Sequence, residues 1–330
     1  MKSKSKAGLP PGHRIDVHHH PSPPGYLAAR DRRNRSSAWK QQRWTPARSL
    51  EDMDQGGVAT AVLSLPHPVG IWPEDLEQGR RMAREWNEYM AQMARDHPGR
   101  FGVFAALPIL DIDGSLAEAE YALDTLGADG IGLMTNIVDR WLGDPHYAPL
   151  FEELHRRKAV VYTHPVAPAC CQNMVPDLGD AAIEYGTDTT RAIARMMFSG
   201  SAHRYADMRM IFSHAGGTMP FLAERLIRTP SLSTENLGER VPNGVLHELQ
   251  KFYYDTAQTA QPYAMASARK VIPASQLLFG TDFPYRTSRE HALGLLQCGF
   301  NEDELTAIEY GNARRLLPGL RVAGRQPHKA

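Results

Sequence analysis

Four short apolar segments, far apart in the sequence, each run directly into a residue that commonly binds metal ions. The first is followed by His18 and His20, and the other three end at His164, His214 and Asp282. A parallel α/β barrel places the C-terminal ends of all its strands around one mouth, so residues from distant strands meet there. The pattern therefore predicts a barrel enzyme with a metal site at its mouth.

Strand-like segments alternate with longer amphipathic segments along the chain. The predicted strands lie near 13–17, 58–64, 101–106, 130–134, 159–163, 209–213, 252–256 and 277–281. The predicted helices lie near 75–96, 115–126, 147–157, 188–203, 218–228 and 302–316. This count and order predict a TIM-like (β/α)8 barrel. A doubly wound sheet is disfavoured, because no glycine-rich phosphate loop follows the first strand and an open sheet would not gather these ligands.

Length and charge narrow the class of protein. The 330 residues suffice for one barrel, and 37 basic residues balance 37 acidic ones, so the composition indicates neither a nucleic-acid partner nor a membrane surface. No apolar run approaches the roughly 18 residues that a membrane helix needs. Three cysteines, two of them adjacent, form no disulfide framework and fit a reducing cytoplasm.

We predict one barrel domain over 13–318, between a disordered N-terminal tail (1–12) and a C-terminal tail (319–330). The segment 20–48 is long for the loop after a first strand, and it carries seven basic residues against one acid, Asp31. Loops of this length are usually functional or disordered. Because the segment follows His20 directly, we expect a basic lid over the mouth, although a solvated charged face is the simpler explanation for any single arginine.

The histidine triplet predicts the first two metal ligands. Residues two apart in a strand face the same side, so His18 and His20 point inward and His19 points away. His164 and Asp282 are the expected third and fourth ligands. An Asx-turn aspartate before a proline is the alternative for Asp282, which is also a candidate proton carrier. Three imidazoles and a carboxylate suit one divalent ion, best Zn²⁺, or Mn²⁺ if further oxygen ligands join.

His214 is either a fifth ligand or the acid/base of the site. Since four protein ligands already fill a mononuclear site, we assign His214 to acid/base chemistry at the metal's edge. Binuclear barrel hydrolases use a modified lysine at the end of strand four. That strand ends here in Met134, Thr135 and Asn136, without lysine, which favours a single metal ion.

Several motifs, in order along nearly the whole chain, resemble the amidohydrolase superfamily. Within it, they resemble the decarboxylase-like branch that includes amino-carboxymuconate-semialdehyde, γ-resorcylate and 6-methylsalicylate decarboxylases. The motifs are Ile15-Asp16-Val17-His18-His19-His20, Met53-Asp54-Gln55-Gly56-Gly57-Val58, Thr163-His164-Pro165, His214-Ala215-Gly216-Gly217-Thr218-Met219-Pro220-Phe221, Gly280-Thr281-Asp282-Phe283-Pro284 and Gly311-Asn312-Ala313-Arg314-Arg315-Leu316. The γ-resorcylate type has glutamate in place of His18, so this chain departs from it. The stretch Phe198-Ser199-Gly200 after Thr189-Thr190-Arg191 most resembles the 6-methylsalicylate type.

The resemblance implies roles for individual residues. It makes His18, His20, His164 and Asp282 the metal ligands and His214 the acid/base. It also implies that Arg225 enters a neighbouring subunit's site to bind a carboxylate, which requires a homodimer. Arg48 lies near the place of the branch's other carboxylate-binding arginine, without aligning in register.

The expected activity is metal-dependent, non-oxidative decarboxylation of a small, anionic aromatic or enol-type acid, salicylate-like, with a proton delivered to the carbon that loses CO2. His214 and Asp282 both remain candidates for the proton donor. Hydrolysis of a lactone or amide by the same site is the alternative, and a non-catalytic barrel is disfavoured because all five site residues are present. Leu65, Phe104 and Phe283, with Ile71 and Trp72, are candidate pocket-lining residues.

Overall fold

The structure is a computed structural model that describes residues 12–26, 44–67, 75–138, 140–228 and 237–323. Several predictions therefore lie wholly or largely outside the described residues. These are the two tails, most of the basic segment 20–48, and the pocket candidates Ile71 and Trp72. The proposed extent of the barrel domain, 13–318, stays a prediction.

Eight parallel strands form a nearly closed barrel, each hydrogen-bonded to the next along the chain. They are β1 (Arg14–His19), β2 (Val58–Leu63), β3 (Phe101–Ala106), β4 (Gly130–Met134), β5 (Val160–His164), β6 (Arg209–Phe212), β7 (Tyr253–Asp255) and β8 (Leu277–Leu278). Between the last strand and the first, the backbone N–H of Val17 donates to the carbonyl of Phe279 at 3.0 Å. The predicted (β/α)8 barrel and its eight strands are confirmed.

Helices cover the outside of the barrel. They are α1 (Pro46–Gly56), α2 (Leu76–Asp96), α3 (Ile112–Glu120), α4 (Ala148–Arg156), α5 (Glu184–Phe198), α6 (Ser201–Arg204), α7 (Met219–Arg228), α8 (Leu237–Arg240), α9 (Val245–Lys251), α10 (Pro262–Val271), α11 (Ser288–Leu295), α12 (Glu302–Thr306) and α13 (Asn312–Leu316). Turns of π-helix extend α3 over Tyr121–Leu126 and join α12 to α13 over Ala307–Gly311. Within the described ranges, no helix combines the length and apolar character needed to cross a bilayer.

Five of these helices have no counterpart in the sequence-based prediction: α1, α8, α9, α10 and α11. Apart from α1, these helices are short or have a weak apolar face. In α10, for example, the buried side chains are only Met265, Ala268 and Val271. Alanine and short polar residues give little periodic contrast, so these segments resemble loops until the barrel wall packs against them.

The interior of the barrel is filled below the mouth. A buried cluster contains Ile15, Val17, Phe104 and Tyr162, and it is closed at the N-terminal end by residues of and after α13. A larger apolar cluster lies between the strands and the helices. Because side chains fill the barrel, a ligand has room only at the C-terminal mouth.

A register shift in the first strand determines the direction of its histidine side chains. The pairing of β1 with β2 shifts between Asp16 and His19, as at a β-bulge, which redirects side chains. Ile15 and Val17 lie in the interior cluster by ordinary alternation, and because of the shift His18 and His20, rather than His19, reach the mouth. His19 points away, as predicted, and its ring bonds Asp16 at 3.1 Å and Ser49 at 2.8 Å.

Asp129, just before β4, makes a pH-dependent contribution to stability. Its carboxylate accepts a hydrogen bond from the backbone N–H of Val103 at 2.9 Å, and burial raises its pKa to about 6. Because the folded pKa exceeds the unfolded value of about 3.9, the ionised group destabilises the fold above pH 6. That cost disappears as the pH falls from about 6 to about 4.

Asp129→Asn, which keeps the acceptor, should therefore raise the free energy of unfolding at pH 8 by about 1–2 kcal/mol and change it little at pH 4. Urea unfolding at the two pH values measures this difference. The exposed Asp207→Asn is the control, expected to stay within about 0.5 kcal/mol at both. An equal gain for Asp129→Asn at both pH values would contradict the assignment.

Candidate metal centre

Four side chains meet at the mouth of the barrel: His18, His20, His164 and Asp282. Each offers one ligand atom, these atoms lie within 4.8 Å of one another, and all four residues are buried. His18 and His164 lie at the C-terminal ends of β1 and β5, His20 directly follows β1, and Asp282 lies on the loop after β8. The parallel barrel brings them together although more than 260 positions separate the first from the last.

The hydrogen bonds of His18 and His20 fix the direction of their lone pairs. Nδ1 of His20 donates to the carbonyl oxygen of Ser64 at 2.8 Å, and Nδ1 of His18 lies 2.9 Å from the carboxylate of Asp255, to which we assign it as donor. In neutral rings, both Nε2 atoms then carry lone pairs. These two Nε2 atoms are 2.9 Å apart and lie 3.1–3.2 Å from Oδ1 of Asp282. The lone pairs of these three atoms face one point, so the atoms can act together as ligands of a cation.

Unpartnered polar atoms support the same conclusion. Among the described residues, Nδ1 of His164, Oδ1 of Asp282 and Nε2 of His214 are buried without a hydrogen-bond partner. Buried polar atoms are normally satisfied, so their clustering indicates a missing partner. Three imidazoles and one carboxylate therefore fit one divalent metal ion.

The electrostatics favour a positive charge at this point. Burial lowers the pKa of His18, but the carboxylates of Asp255 and Asp282 outweigh it and raise that pKa to about 10. Burial lowers the pKa of His20, and it holds that of His164 well below the usual value, so both rings are neutral. Burial would raise the pKa of Asp282, yet the neighbouring histidines hold it well below its usual range. His20, His164 and Asp282 are therefore in the protonation states that metal binding requires, whereas His18 carries a proton that a bound cation would replace.

His214 lies beside the four-ligand cluster. It follows β6 in a short 3₁₀ turn, His214–Gly216, with a positive φ of 55°. Its Nε2 lies 3.5 Å from Oδ2 of Asp282, and its ring centroid lies 5.1 Å from that of His18. The turn needs glycine, since a Cβ at Gly217 would lie 2.0 Å from the carbonyl oxygen of Gly186.

Asp255, at the end of β7, links the cluster to His214 and was missed by the sequence reasoning. One carboxylate oxygen faces Nδ1 of His18, while the other accepts the backbone N–H groups of His214 at 2.9 Å and Ala257 at 3.0 Å. A carboxylate on the far nitrogen of a ligand histidine fixes its tautomer and orientation. The available signal was its position at a strand end, the same place that the other site residues occupy.

Two further groups hold the loop that carries Asp282. Gln258 donates its side-chain N–H to Oδ2 of Asp282 at 2.9 Å. Oδ1 of Asp16 accepts the backbone N–H groups of His18 and Thr281, each at 3.0 Å. Asp16 therefore connects the first strand to the segment after the last one.

The two predicted arginines lie on outer helices. Arg48 is exposed in the first turn of α1, and Arg225 is exposed on α7. The hydrogen bonds and ion pairs of the metal cluster, within the part of the chain described, include neither guanidinium. Pro46 also begins a helix inside the segment predicted as loop up to residue 48, because Thr45 caps it by accepting the backbone N–H of Arg48.

An apolar recess opens beside the cluster, on the side of β3 and β4. It is partly open to solvent, and Leu65, Phe104, Ala106, Gly132, Met134 and Ile137 are among its lining residues. Leu65 and Phe104 were predicted to line a pocket. Phe283, predicted with them, instead stacks on the outward-facing ring of His19, with centroids 4.6 Å apart.

A parallel barrel with three histidines and an aspartate gathered at its C-terminal mouth defines a class, the metal-dependent (β/α)8 enzymes. The family model described as amidohydrolase matches residues 15–319. The chain therefore belongs to the amidohydrolase family, as its motifs predicted.

Similar proteins are decarboxylases. The chain is 36% identical to decarboxylase macB of Penicillium terrestre over 327 residues, covering 94% of this chain and 96% of that protein. It is 35% identical to 6-methylsalicylic acid decarboxylase of Penicillium expansum, covering 82% and 85%. A solved structure of an amidohydrolase II matches with a TM-score of 0.84 at 27% identity, covering 92% of this chain and 99% of that one.

Proposed function

We infer that this protein is a metal-dependent, non-oxidative decarboxylase, a carboxy-lyase, that acts on a small aromatic carboxylic acid. The observation that carries this conclusion is the buried cluster of three histidines and Asp282 beside an apolar recess. The relatives at 35–36% identity are named decarboxylases, which favours this reaction over lactone or amide hydrolysis by the same site. We propose a salicylate-like substrate, an anion with a hydroxyl group beside its carboxylate.

The metal ligands are His18, His20, His164 and Asp282 in this proposal. When bound there, a divalent ion supplies a Lewis acid and a template for the carboxylate and the adjacent hydroxyl oxygen. Three imidazoles and one carboxylate suit Zn²⁺, and Mn²⁺ is the alternative where oxygen ligands complete the shell. Asp255 keeps His18 in the tautomer that points Nε2 at the site.

His214 is the proposed proton donor. Loss of CO2 leaves a carbon with an electron pair that must gain a proton. Nε2 of His214 is buried without a hydrogen-bond partner in the described residues and lies 3.5 Å from Oδ2 of Asp282. His214 therefore delivers the proton to the ring carbon from a position beside the carboxylate of Asp282.

We further propose a homodimer in which Arg225 binds the substrate carboxylate in the partner's site. The side chain of Phe221 is 84% exposed one helical turn before Arg225, and Tyr263 on the neighbouring helix α10 is 79% exposed. Residues four apart share a helix face, so Phe221 and Arg225 face outward together. Exposed aromatic groups of this kind favour an interface with a second subunit.

Mixing two inactive variants tests this arrangement. Arg225→Ala is expected to lower kcat/KM by about 100-fold, because it removes a charge-assisted carboxylate contact. If Arg225 acts in the partner's site, unfolding and refolding Arg225→Ala together with His214→Gln should restore about a quarter of the activity, since half the dimers carry one intact site. Sedimentation gives the oligomeric state. Failure to recover activity in proven mixed dimers would contradict a role across the interface.

The role of Arg48 as a second carboxylate-binding residue and a cytoplasmic location remain proposals. Arg48 is supported by its place in the chain, five residues before the Met-Asp-Gln-Gly motif, and not by a contact with the cluster. The location is supported by cysteine use: Cys170, Cys171 and Cys298 are all free thiols.

A parallel assay tests the reaction itself. Metal-loaded protein is incubated with a panel of ortho-hydroxybenzoates and small lactones while CO2 release and ring opening are measured. CO2 from a hydroxybenzoate, without lactone opening, is the expected result. Ring opening without CO2 release would contradict this proposal and show that the protein is a hydrolase.

A further inference from the structure

The strand β7 supplies none of the four proposed metal ligands, yet its end and the loop after it contact two of them. The carboxylate of Asp255 lies 2.9 Å from Nδ1 of His18 and also accepts the backbone N–H of Ala257 at 3.0 Å. Directly after Ala257, the side chain of Gln258 donates to Oδ2 of Asp282 at 2.9 Å. One short segment is therefore attached to a ligand from the first strand and to the ligand after the last strand.

The two carboxylate oxygens of Asp282 have different neighbours. Oδ1 lies 3.1–3.2 Å from Nε2 of both His18 and His20, so it faces the other ligand atoms. Oδ2 faces the amide of Gln258 at 2.9 Å and lies 3.5 Å from Nε2 of His214. Because an ionised carboxylate only accepts hydrogen bonds, the N–H group of the amide, and not its oxygen, must face Oδ2. The amide of Gln258 therefore distinguishes two oxygens that are chemically equivalent.

The backbone at Gln258 has an unfavourable conformation. Its φ is 57°, in the left-handed region that favours glycine, and the site residues His214 and Asp282, after β6 and β8, have φ values of 55° and 67°. Residues other than glycine keep such a conformation only where the surrounding structure imposes it, and they cluster at functional sites. Gln258 is exposed, so burial of its side chain does not offset this cost. Its contact with Asp282 gives a reason for a glutamine at this position.

We propose that Gln258 is a positioning residue for the reaction: it holds Oδ2 of Asp282, so that Oδ1 is the oxygen offered to the metal ion. The proposal rests on the proposed function, because it requires Asp282 to be a ligand. Without the amide, the carboxylate would be free to turn about its Cβ–Cγ bond, and Oδ2 would lose its fixed place beside His214. Gln258 thus acts on the ion and on the proton donor through Asp282, without being a ligand itself.

Gln258→Met tests the amide, because methionine is unbranched and of similar length but has no N–H donor. Titration of the metal-free protein with Zn²⁺ against a chelating dye should show an affinity about 10-fold weaker than that of the wild type. With Zn²⁺ saturating, kcat for a hydroxybenzoate should fall by about 10-fold and KM should change less, since the amide contacts Asp282. Gln297→Met is the matched control: Gln297 is also exposed, follows α11, and should change neither quantity.

Gln258→Gly separates positioning from the stability of the turn. Glycine removes the amide but adopts the left-handed conformation without strain, so the Tm of the metal-free protein should not fall. Lys158→Gly is the matched control, because Lys158 is exposed, has a φ of 52°, and lies before β5, at the end of the barrel opposite the mouth. Both glycine variants should keep the Tm of the wild type or exceed it, and only Gln258→Gly should lose affinity for Zn²⁺.

The possible failures are distinguishable. If the wild type binds Zn²⁺ and releases CO2 while both Gln258 variants bind Zn²⁺ equally well, the positioning role is wrong and the proposed function stands. A loss of affinity that appears only together with a lower Tm would also overturn the positioning role. If the wild type binds Zn²⁺ but no hydroxybenzoate loses CO2, the proposed function fails, and the Zn²⁺ affinities of the variants still decide the role of Gln258. If Asp282→Asn binds Zn²⁺ as tightly as the wild type, both proposals are overturned.

Discussion

Replacing Asp282 with asparagine is expected to reduce CO2 release by at least about 1,000-fold and to remove most of the bound metal. Asp282 is the only carboxylate among the four proposed ligands, and its Oδ1 lies 3.1–3.2 Å from Nε2 of both His18 and His20. An asparagine keeps the shape but loses the charge that balances a divalent cation. Metal content per chain after dialysis, measured by atomic emission, and CO2 release are the two readouts.

His214→Gln is the comparison that separates metal binding from proton transfer. It should keep the metal content of the wild type and lower kcat by about 10²–10⁴-fold, the usual contribution of a positioned acid/base. An Asp282→Asn variant that stays fully metal-loaded yet inactive would show that Asp282 is a proton carrier and not a ligand. An active His214→Gln variant would remove His214 from the mechanism.

Asp255→Asn should weaken metal affinity by about 10–100-fold, although Asp255 is not itself a proposed ligand. Its two oxygens serve three donors, namely the ring of His18 and the backbone N–H groups of His214 and Ala257. A side-chain amide has only one acceptor oxygen. Whichever way the amide turns, its NH2 group meets an N–H donor, so either the ring of His18 or the turn at His214 loses its support.

Titration against a chelating dye measures the metal affinity of this variant. Asp188→Asn is a matched control, because Asp188 is also fully buried and accepts from the side chains of Thr135, Asn136 and Trp141. Both variants should lose stability, but only Asp255→Asn should lose metal affinity. If both variants lost metal affinity equally, Asp255 would contribute only to the stability of the fold.

The sequence predicts most of this architecture because buried parallel strands are apolar runs and their ends converge. His18, His164 and Asp282 were identifiable one by one, since each follows such a run. Asp255 was not, because β7 has three residues and a terminal aspartate there resembles a turn residue. Its partner His18 lies 237 positions away, beyond any local pattern.

Other features carry no positive signal in a sequence. The recess forms because Ala106 and Gly132 have almost no side chain. A small residue in a strand predicts a pocket only when its neighbours across the barrel are known. The register shift in β1 likewise cannot be recognised from the sequence. Strand alternation correctly assigned His18 and His20 to one face, but the fact that Val17 and these two histidines all face inward goes with the register shift against β2.

The seam of the barrel lies at the proposed metal site. Beyond the two residues of β8, the first and last strands are joined by the backbone bond from Asp282 to the carbonyl of His18, by that from His20 to Phe283, and by the carboxylate of Asp16. An ion held by His18, His20 and Asp282 would connect the first strand to the segment after the last strand. Metal uptake and closure of the barrel would then be a single cooperative event, and part of the binding energy would appear as fold stability.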